Sequence, residues 1–438
     1  MSKNNEHKLV PKLRFPEFLN EKWERKTIDE TCEVLNNLRK PLTSNLREKG
    51  EYPYYGASGI IDYVKEFIFN ERLLLIGEDG AKWGAYEKTA FIAEGKYWVN
   101  NHAHVLKPTG VVDTVLENYL VKLNISPFIT GAAPPKLTLG KLKSIPVPIP
   151  NSQKEQQKIA ACFSSIDEVI TAESQKLEVL KEHKKGLLQN LFPQTGETVP
   201  KFRFKEFEDS GEWKQTTLQH LANKIMVGIA SAATHAYSTS GIILFRNQNI
   251  KDGYLDDQNI LYINKEYEKE HKNKRLKSGD LLTARTGYPG TTCVVPEKYE
   301  GSQSFTTLII RPNQDLINSL FLSFYINSDK GKTFFNATKI GGGQQNVNAG
   351  SLSEMPIIYP SLPEQQQITS TLCSIDDLIN AQIEKVESLQ HHKKGLLQGL
   401  FPQMAEAGLK SLAEDRMEQK AGNKFLPSSH PKNHDANK

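Results

Sequence analysis

Two stretches of the chain carry the same run of apolar positions at alternating steps of four and three. The first is Ile159, Phe163, Ile166, Ile170, Leu177, Leu180, Leu187 and Leu191, with Glu173 and Lys184 in the remaining seam positions. The second is Ile368, Leu372, Ile375, Ile379, Val386, Leu389, Leu396 and Leu400, with Gln382 and Lys393 in the equivalent gaps. A seam sustained for about five heptads predicts two long helices that pair. Both stretches open with a capping-box pattern, Ser152-x-x-Glu155 and Ser361-x-x-Glu364, and both stop before Phe-Pro. At 1.5 Å per residue a helix from 155 to 191 is roughly 55 Å long, more than a small domain can cover. Part of its apolar stripe therefore needs a partner, and its own repeat, packed antiparallel, fits best. One helix then leads out of a first body and the other returns from a second.

The repeat extends beyond the helices. Residues 155–194 align without a gap, at a shift of 209, onto residues 364–403 and match at 23 of 40 positions. Two headers also match, PKLRFPEFLNEKW from Pro11 and PKFRFKEFEDSGEW from Pro200, as do the proline-rich approaches IPVPIPNSQKEQQ and MPIIYPSLPEQQ. Between header and helix, residues of roughly 24–145 and 214–354 share no comparable gap-free identity. Similar frames thus hold dissimilar contents, which implies equivalent places in an assembly and different objects of recognition. The division expected is a first body over 1–150, a helix over 151–194, a second body over 195–360, a helix over 361–403 and a polar tail over 404–438. The tail is expected to be mostly disordered, with a short helix near Leu409 to Glu418. The fold class is α+β: two mixed bodies joined by two antiparallel coiled-coil helices, related by a pseudo-twofold axis.

Within the bodies, short apolar runs are broken by Gly, Asp and Asn, the chemistry of strands and turns. In the first, Tyr54, Tyr55, Lys82, Trp83, Asn100, Asn101, His102, His104 and Lys136 bring aromatic, amide and basic groups to such turns. In the second, Arg246, Asn247, Gln248 and Asn249 stand in a row, Arg285 and Tyr288 sit at a Gly-Tyr-Pro-Gly turn, and Lys339 precedes a Gly-rich loop ending Gln344, Gln345 and Asn346. Arg suits guanine, Asn and Gln suit adenine, and Lys or Arg hold phosphates, so these residues are candidate DNA contacts. Ordinary loop polarity accounts equally well for any single one. The Lys184–Lys185 and Lys393–Lys394 pairs fit either a solvated face or a partner contact.

Composition narrows the choice. The 438 residues suggest about three folding units. With 55 Lys and Arg against 51 Asp and Glu, the net charge is only +4, so nucleic-acid binding must rely on local patches. Cys32, Cys162, Cys293 and Cys373 lie far apart without metal-finger spacing, which argues against structural zinc and fits a reducing compartment. No run approaches about 18 apolar residues and the start lacks an apolar signal region, so a cytoplasmic, non-membrane protein is expected. No P-loop is present, since Ile326 stands where the first Gly of a string ending Gly331-Lys332-Thr333 belongs. No glycine-rich dinucleotide turn or amino-methyltransferase string is found, so no catalytic residue, metal or cofactor is assigned to the chain. Two other readings stay open: a metal-dependent nuclease using Asp79, Glu94 and Lys96, and a coiled-coil adaptor for proteins alone.

The doubled headers, the E-Q-Q-x-I and S-I-D-[ED]-x-I segments and the K-K-G-L-L-Q-x-L-F-P-Q closures together resemble the specificity subunit of type I restriction-modification systems. GDLLTARTGYPG in the second body is similar to that family's recurrent G-D-L-L-x-x-R-x-G-x-x-G element. The resemblance implies two target-recognition domains that each read part of a split double-stranded DNA target, and helices that set the spacing. It implies two methyltransferase subunits and further translocase-nuclease restriction subunits as partners. S-adenosylmethionine, ATP and magnesium would belong to those partners. The tail from Met404 departs from the pattern, with no counterpart after the first helix.

Overall fold

The computed structural model of the chain describes residues 9–194, 196–231, 233–337 and 347–403. The expected tail helix near Leu409 to Glu418 and the candidates Lys339, Gln344, Gln345 and Asn346 lie outside the described residues. The chain divides into two compact units: one runs to Ser174 and resumes at Glu384, and the other is Gln175–Ile383. The two seams form helices Gln153–Leu191 and Leu362–Leu400, each beginning in one unit and ending in the other.

The first unit contains β1 (Trp23–Thr27), β2 (Cys32–Val34), β3 (Lys49–Gly56), β4 (Gly59–Val64), β5 (Phe69–Asn70), β6 (Leu73–Gly77), β7 (Ala90–Ala93), β8 (Lys96–Val99), β9 (Ala103–Pro108) and β10 (Pro146–Pro150). They make a β1-β10 pair and two four-stranded sheets, β2-β9-β6-β7 and β4-β3-β8-β5. The pairing limit of β10 follows from its sequence. With proline at 146, 148 and 150, only Val147 and Ile149 offer N–H groups, both on one edge, so the strand bonds a single neighbour. Leu73 to Ile76 of β6 are fully buried, as a strand covered on both faces requires.

The second unit repeats this plan with unrelated residues. Its strands are β11 (Lys214–Thr217), β12 (Ala222–Val227), β13 (Tyr237–Ser238), β14 (Ile242–Arg246), β15 (Leu261–Ile263), β16 (Leu281–Thr283), β17 (Thr292–Val294), β18 (Gln303–Phe305), β19 (Leu308–Pro312) and β20 (Pro356–Tyr359). They form a β11-β20 pair, a β12-β19-β16-β17 sheet and a β13-β15-β14-β18 sheet. The β2-β9-β6-β7 order is reproduced strand for strand. In the other sheet each unit sets a hairpin beside a parallel strand, β3 against β8 and β14 against β18.

The repeated frame motifs hold each unit together. In the first, Arg14 grips both carboxylate oxygens of Glu155 at 2.8 Å, and Trp23 Nε1 donates to Glu155 Oε1 at 3.2 Å. In the second, Arg203 grips Glu364 at 2.8 Å and Trp213 Nε1 donates to it at 3.2 Å. Both glutamates are therefore spent on the headers, which corrects the expected capping boxes: a buried bidentate charge pair outweighs a terminal cap. The next residue is a latch. Gln156 accepts from Val112 N–H at 2.9 Å, at the start of helix Asp113–Lys122, and donates to Pro150 O at 2.9 Å. Gln365 does the same with Asn318 N–H and Pro360 O, at the start of helix Ser319–Asn327. The closing Phe-Pro segments complete the cores. Phe401 stacks on Phe163 and meets Trp23 edge-on, while Phe192 meets Trp213 edge-on and packs against Phe321. Lys122 Nζ donates to the Phe401 and Pro402 carbonyl oxygens at 3.1 and 2.9 Å, and burial pulls its pKa down to about 8.

The helices pack antiparallel within the first unit, where Lys393 Nζ contacts both oxygens of Asp167 at 2.6 and 2.8 Å and Lys385 Nζ contacts Glu173 at 2.6 Å. As one residue number rises the other falls. In the second unit Lys184 Nζ lies 2.6 Å from Asp376, the same pair 209 residues displaced. The lysines that interrupt each seam thus pair with the Asp of the repeated S-I-D string. Ile159, Phe163, Leu191, Ile368, Leu372, Ile375, Ile379, Val386 and Leu400 are buried; Ile166, Ile170, Leu177, Leu180, Leu187, Leu389 and Leu396 are half-buried. The two basic pairs divide: Lys184 and Lys393 are half-buried and paired between the helices, Lys394 sits 4.6 Å over the Tyr86 ring, and Lys185 is exposed.

Candidate nucleic-acid interface

In the first unit the carboxyl ends of β3, β6 and β8 meet at one edge. Parallel pairing sets Tyr55 beside Val99, Asn100 N–H donates to Tyr55 O at 3.1 Å, and Glu78 N–H donates to His102 O at 2.8 Å. The turn 100–102 crosses from β8 to β9 beside Gly77, and β2 delivers Asn36 and Arg39 to the same place. There Glu78 receives Arg39 Nη1 at 2.5 Å and Lys136 Nζ at 2.6 Å. Burial pushes the Glu78 carboxyl up, but these two hydrogen bonds win and hold it below the ordinary value. Arg39 also donates to the Ala103 carbonyl at 2.7 Å. Beside this cluster Asp79 and His102 form a pair, Nδ1 to carboxylate, with the His102 ring half in solvent.

The candidates sort by what their polar groups already do. Lys82, Asn101 and His102 are exposed and Tyr55, Trp83 and Lys136 half-buried. Tyr54 and His104 are corrections. Tyr54 is 1% exposed, with Leu42 N–H donating to its hydroxyl at 2.9 Å. His104 is also 1% exposed; its Nε2 donates to Leu137 O at 2.7 Å, so Nδ1 is the acceptor for Asn36 Nδ2 at 2.8 Å. Burial lowers its pKa and keeps the ring neutral. Both are internal struts. Asn36, Arg39 and Glu78, which organise the edge, escaped sequence reading because their roles depend on pairing across more than thirty residues.

The second unit builds its edge at the equivalent strand ends. Arg246 lies beside Phe305 at the ends of β14 and β18, Thr283 beside Leu308 between β16 and β19, and Gly228 N–H donates to Thr307 O at 2.9 Å. Asn247 joins the loops: its Oδ1 accepts from Arg285 N–H at 2.7 Å and its Nδ2 faces the Thr306 hydroxyl at 3.3 Å. Thr306, with φ +52°, and Asn259, with φ +54°, hold left-handed backbone there, and the former is a costly place for a β-branched residue. Arg246 Nη2 donates to the Asn259 carbonyl at 2.8 Å, while its buried Nε–H has no partner among the described residues. Arg285 Nε donates to Val347 O at 3.0 Å. Gln248 and Tyr288 are exposed. Asn249 is a third correction: it is 1% exposed, its amide bonding the Asp256 and Gln258 carbonyls and accepting from Arg246 N–H, which fixes the turn.

The nuclease constellation does not assemble. Glu94 follows Ala93, which pairs with Leu73 at the start of β6, and is held by Arg72 at 2.7 Å. Asp79 follows the opposite end of β6, roughly 15–20 Å away at 3.3 Å per residue. Lys96 lies 4.9 Å over the Phe67 ring. Among the described residues no three His, Cys, Asp or Glu side chains gather as metal ligands, and no helix is long and apolar enough to cross a membrane.

Comparison with known proteins bears on both units. The model of the type I restriction modification DNA specificity domain matches residues 20–182 and again 210–388. A putative type I restriction enzyme specificity subunit of Haemophilus influenzae is 29% identical over 371 residues, covering 82% of this chain and 89% of that protein. The MjaVIII specificity subunit of Methanocaldococcus jannaschii is 24% identical, covering 88% and 92%. Among solved structures, the type I S subunit from M. genitalium superposes with a TM-score of 0.59 at 14% identity, over 91% of this chain and all of that one. A chain from a type I system studied for complex assembly and conformational transition gives 0.52 at 16% identity, over 90% and 99%. With the family model matched once on each unit, across most of the chain, the protein belongs to the type I restriction-modification DNA specificity family.

Proposed function

We propose that the chain is the sequence-reading subunit of a type I restriction-modification complex, in which each unit reads one part of a bipartite double-stranded DNA target. The observation that carries this reading is the pair of equivalent strand-end edges: one strand plan, used twice, presents Lys82, Asn101, His102 and Lys136 in one unit and Arg246, Asn247, Gln248 and Arg285 in the other. A duplicated scaffold with dissimilar side chains is what reading two different base sequences needs. The paired helices set the separation of the two parts and dock two methyltransferase subunits. Restriction subunits with translocase and nuclease activity join that complex, which works in the cytoplasm. The chain contributes no catalytic group of its own; adenine methylation from S-adenosylmethionine, and cleavage that uses ATP and magnesium, belong to the partners.

The test is selection from a random DNA pool by the chain purified with its methyltransferase subunits. Two short defined blocks separated by a fixed gap of unread positions support the proposal, whereas a single continuous motif, or none, contradicts it. Arg246→Ala should relax one block and leave the other intact.

A further inference from the structure

Tyr288 is 84% exposed, more than any other large apolar or aromatic side chain among the described residues. It stands on a turn built to stay in shape. Gly290 N–H donates to Ala284 O at 3.0 Å, Ala284 N–H to Thr291 O at 2.8 Å and Tyr288 N–H to Thr286 O at 3.0 Å. Behind them the Asn327 amide clamps both backbone groups of Thr292, at 2.9 and 2.8 Å. Gly290 has φ +97°, and a Cβ there would lie 2.4 Å from the Phe335 ring, so the turn rests directly on a buried aromatic. A hydrogen-bonded turn that holds a tyrosine ring in water forgoes the stabilisation its burial would bring. Tyr288 lines a neighbouring cleft of about 310 Å³, with Asp252, Asn327, Lys332 and Phe335, yet its side chain stays exposed rather than buried there.

The neighbourhood says what the ring meets. Arg285 opens the same turn and is tied by its N–H to Asn247, beside Arg246, whose Nε–H has no partner among the described residues. A neutral aromatic ring gains nothing from phosphates, but it gains from the stacked faces of bases and from sugars once water is expelled. Resting on the proposal that this edge reads DNA, we propose that Tyr288 is a stacking residue that inserts its ring against a base step of the half-target read by the second unit. It adds affinity through base stacking, where the two arginines use charge and hydrogen bonds. A step that unstacks cheaply, such as pyrimidine–purine, suits it best, so Tyr288 also selects sequence through deformability.

The experiment uses the chain with its methyltransferase subunits and a duplex carrying the sequence that this complex methylates, with 2-aminopurine at successive positions of the second half-target. Wild-type complex should brighten the probe at one step, away from the methylated adenine, whose own flipping by the methyltransferase brightens it independently of Tyr288. Tyr288→Ala should abolish the brightening and weaken binding roughly tenfold, with the slope of log K against log salt unchanged, because no phosphate contact is lost. Tyr288→Phe should keep both signals. Tyr288→Ala with wild-type affinity and brightening, while Arg285→Ala still loses target binding, overturns the inference and leaves the DNA-reading proposal standing. A Tyr288→Ala chain that no longer retains its methyltransferase subunits overturns it in favour of a protein contact. If Tyr288→Ala, Arg246→Ala and Arg285→Ala all bind as wild type, the reading of this edge as the DNA surface fails with it.

Discussion

Glu155 and Glu364 show how much one side chain carries in this frame. Each is 1% exposed and neutralises an Arg with 6–7% of its side chain exposed, and each also takes the indole N–H of a buried Trp. Removing one carboxylate strands a buried cation and an indole donor, which costs on the order of 3–5 kcal/mol. Glu155→Ala should therefore lower stability by that much in urea unfolding followed at the first unit, and Glu364→Ala should do the same in the second. A loss under about 1 kcal/mol would show the pair to be replaceable by water. His104 makes a pH prediction. Its folded pKa lies below the ordinary 6.5, so below about pH 6.5 the unfolded chain takes up a proton that the folded first unit resists. Stability is intact above pH 6.5 and falls as pH drops through that value. His104→Gln should destabilise the unit at pH 7.5 yet flatten the slope between pH 6.5 and 5; an unchanged slope assigns it to another group. At this scale the sequence was only partly legible. It marked polar residues at turns, but Tyr54, His104 and Asn249 look no different in the chain from Lys82 or Gln248, and only the partners across the fold separate strut from surface.

The long helices were the most legible elements, because a heptad seam is local and its period sets the burial directly. What the seam could not reveal was the use of its interruptions. Lys184 and Lys393 break the apolar stripe, and each reaches the Asp of the opposite S-I-D string. These groups are between one-fifth and one-half exposed, so each pair contributes modestly, about 0.2–1 kcal/mol, and serves register more than stability. A double-mutant cycle on Asp167 and Lys393 should give a coupling in that range, and the exchange of Asp167→Lys with Lys393→Asp should recover most of what either reversal loses. Zero coupling would make the contact incidental. Glu155 was read as closing a capping box with Ser152 and turned out to be an anchor, with the neighbouring Gln156 a latch, since their partners Arg14 and Val112 lie 141 and 44 residues away. Local patterns name the element; long-range bonds decide what its polar residues do.

For the whole molecule, the repeat was plain in the frame and hidden in the bodies. Strand order survives because it depends on which short runs are apolar, whereas side-chain identity at the strand ends is free to change. Thus β2-β9-β6-β7 and β12-β19-β16-β17 coincide without shared sequence, while Arg14, Glu155 and Trp23 recur as Arg203, Glu364 and Trp213, a buried pair in which changing one partner strands the other. On the proposed function, the two edges act as independent readers on one scaffold. The most direct measurement is a base-resolution map of adenine methylation in cells carrying the chain with its methyltransferase subunits, compared with cells in which only Arg246 and Arg285 are replaced by Ala. The account predicts a two-part motif with an unread gap, and the variant should change or relax one part while the other part and the gap length stay fixed. Loss of both parts together, or a map identical to that of cells lacking the chain, would contradict the claim that each half reads its own share of the target.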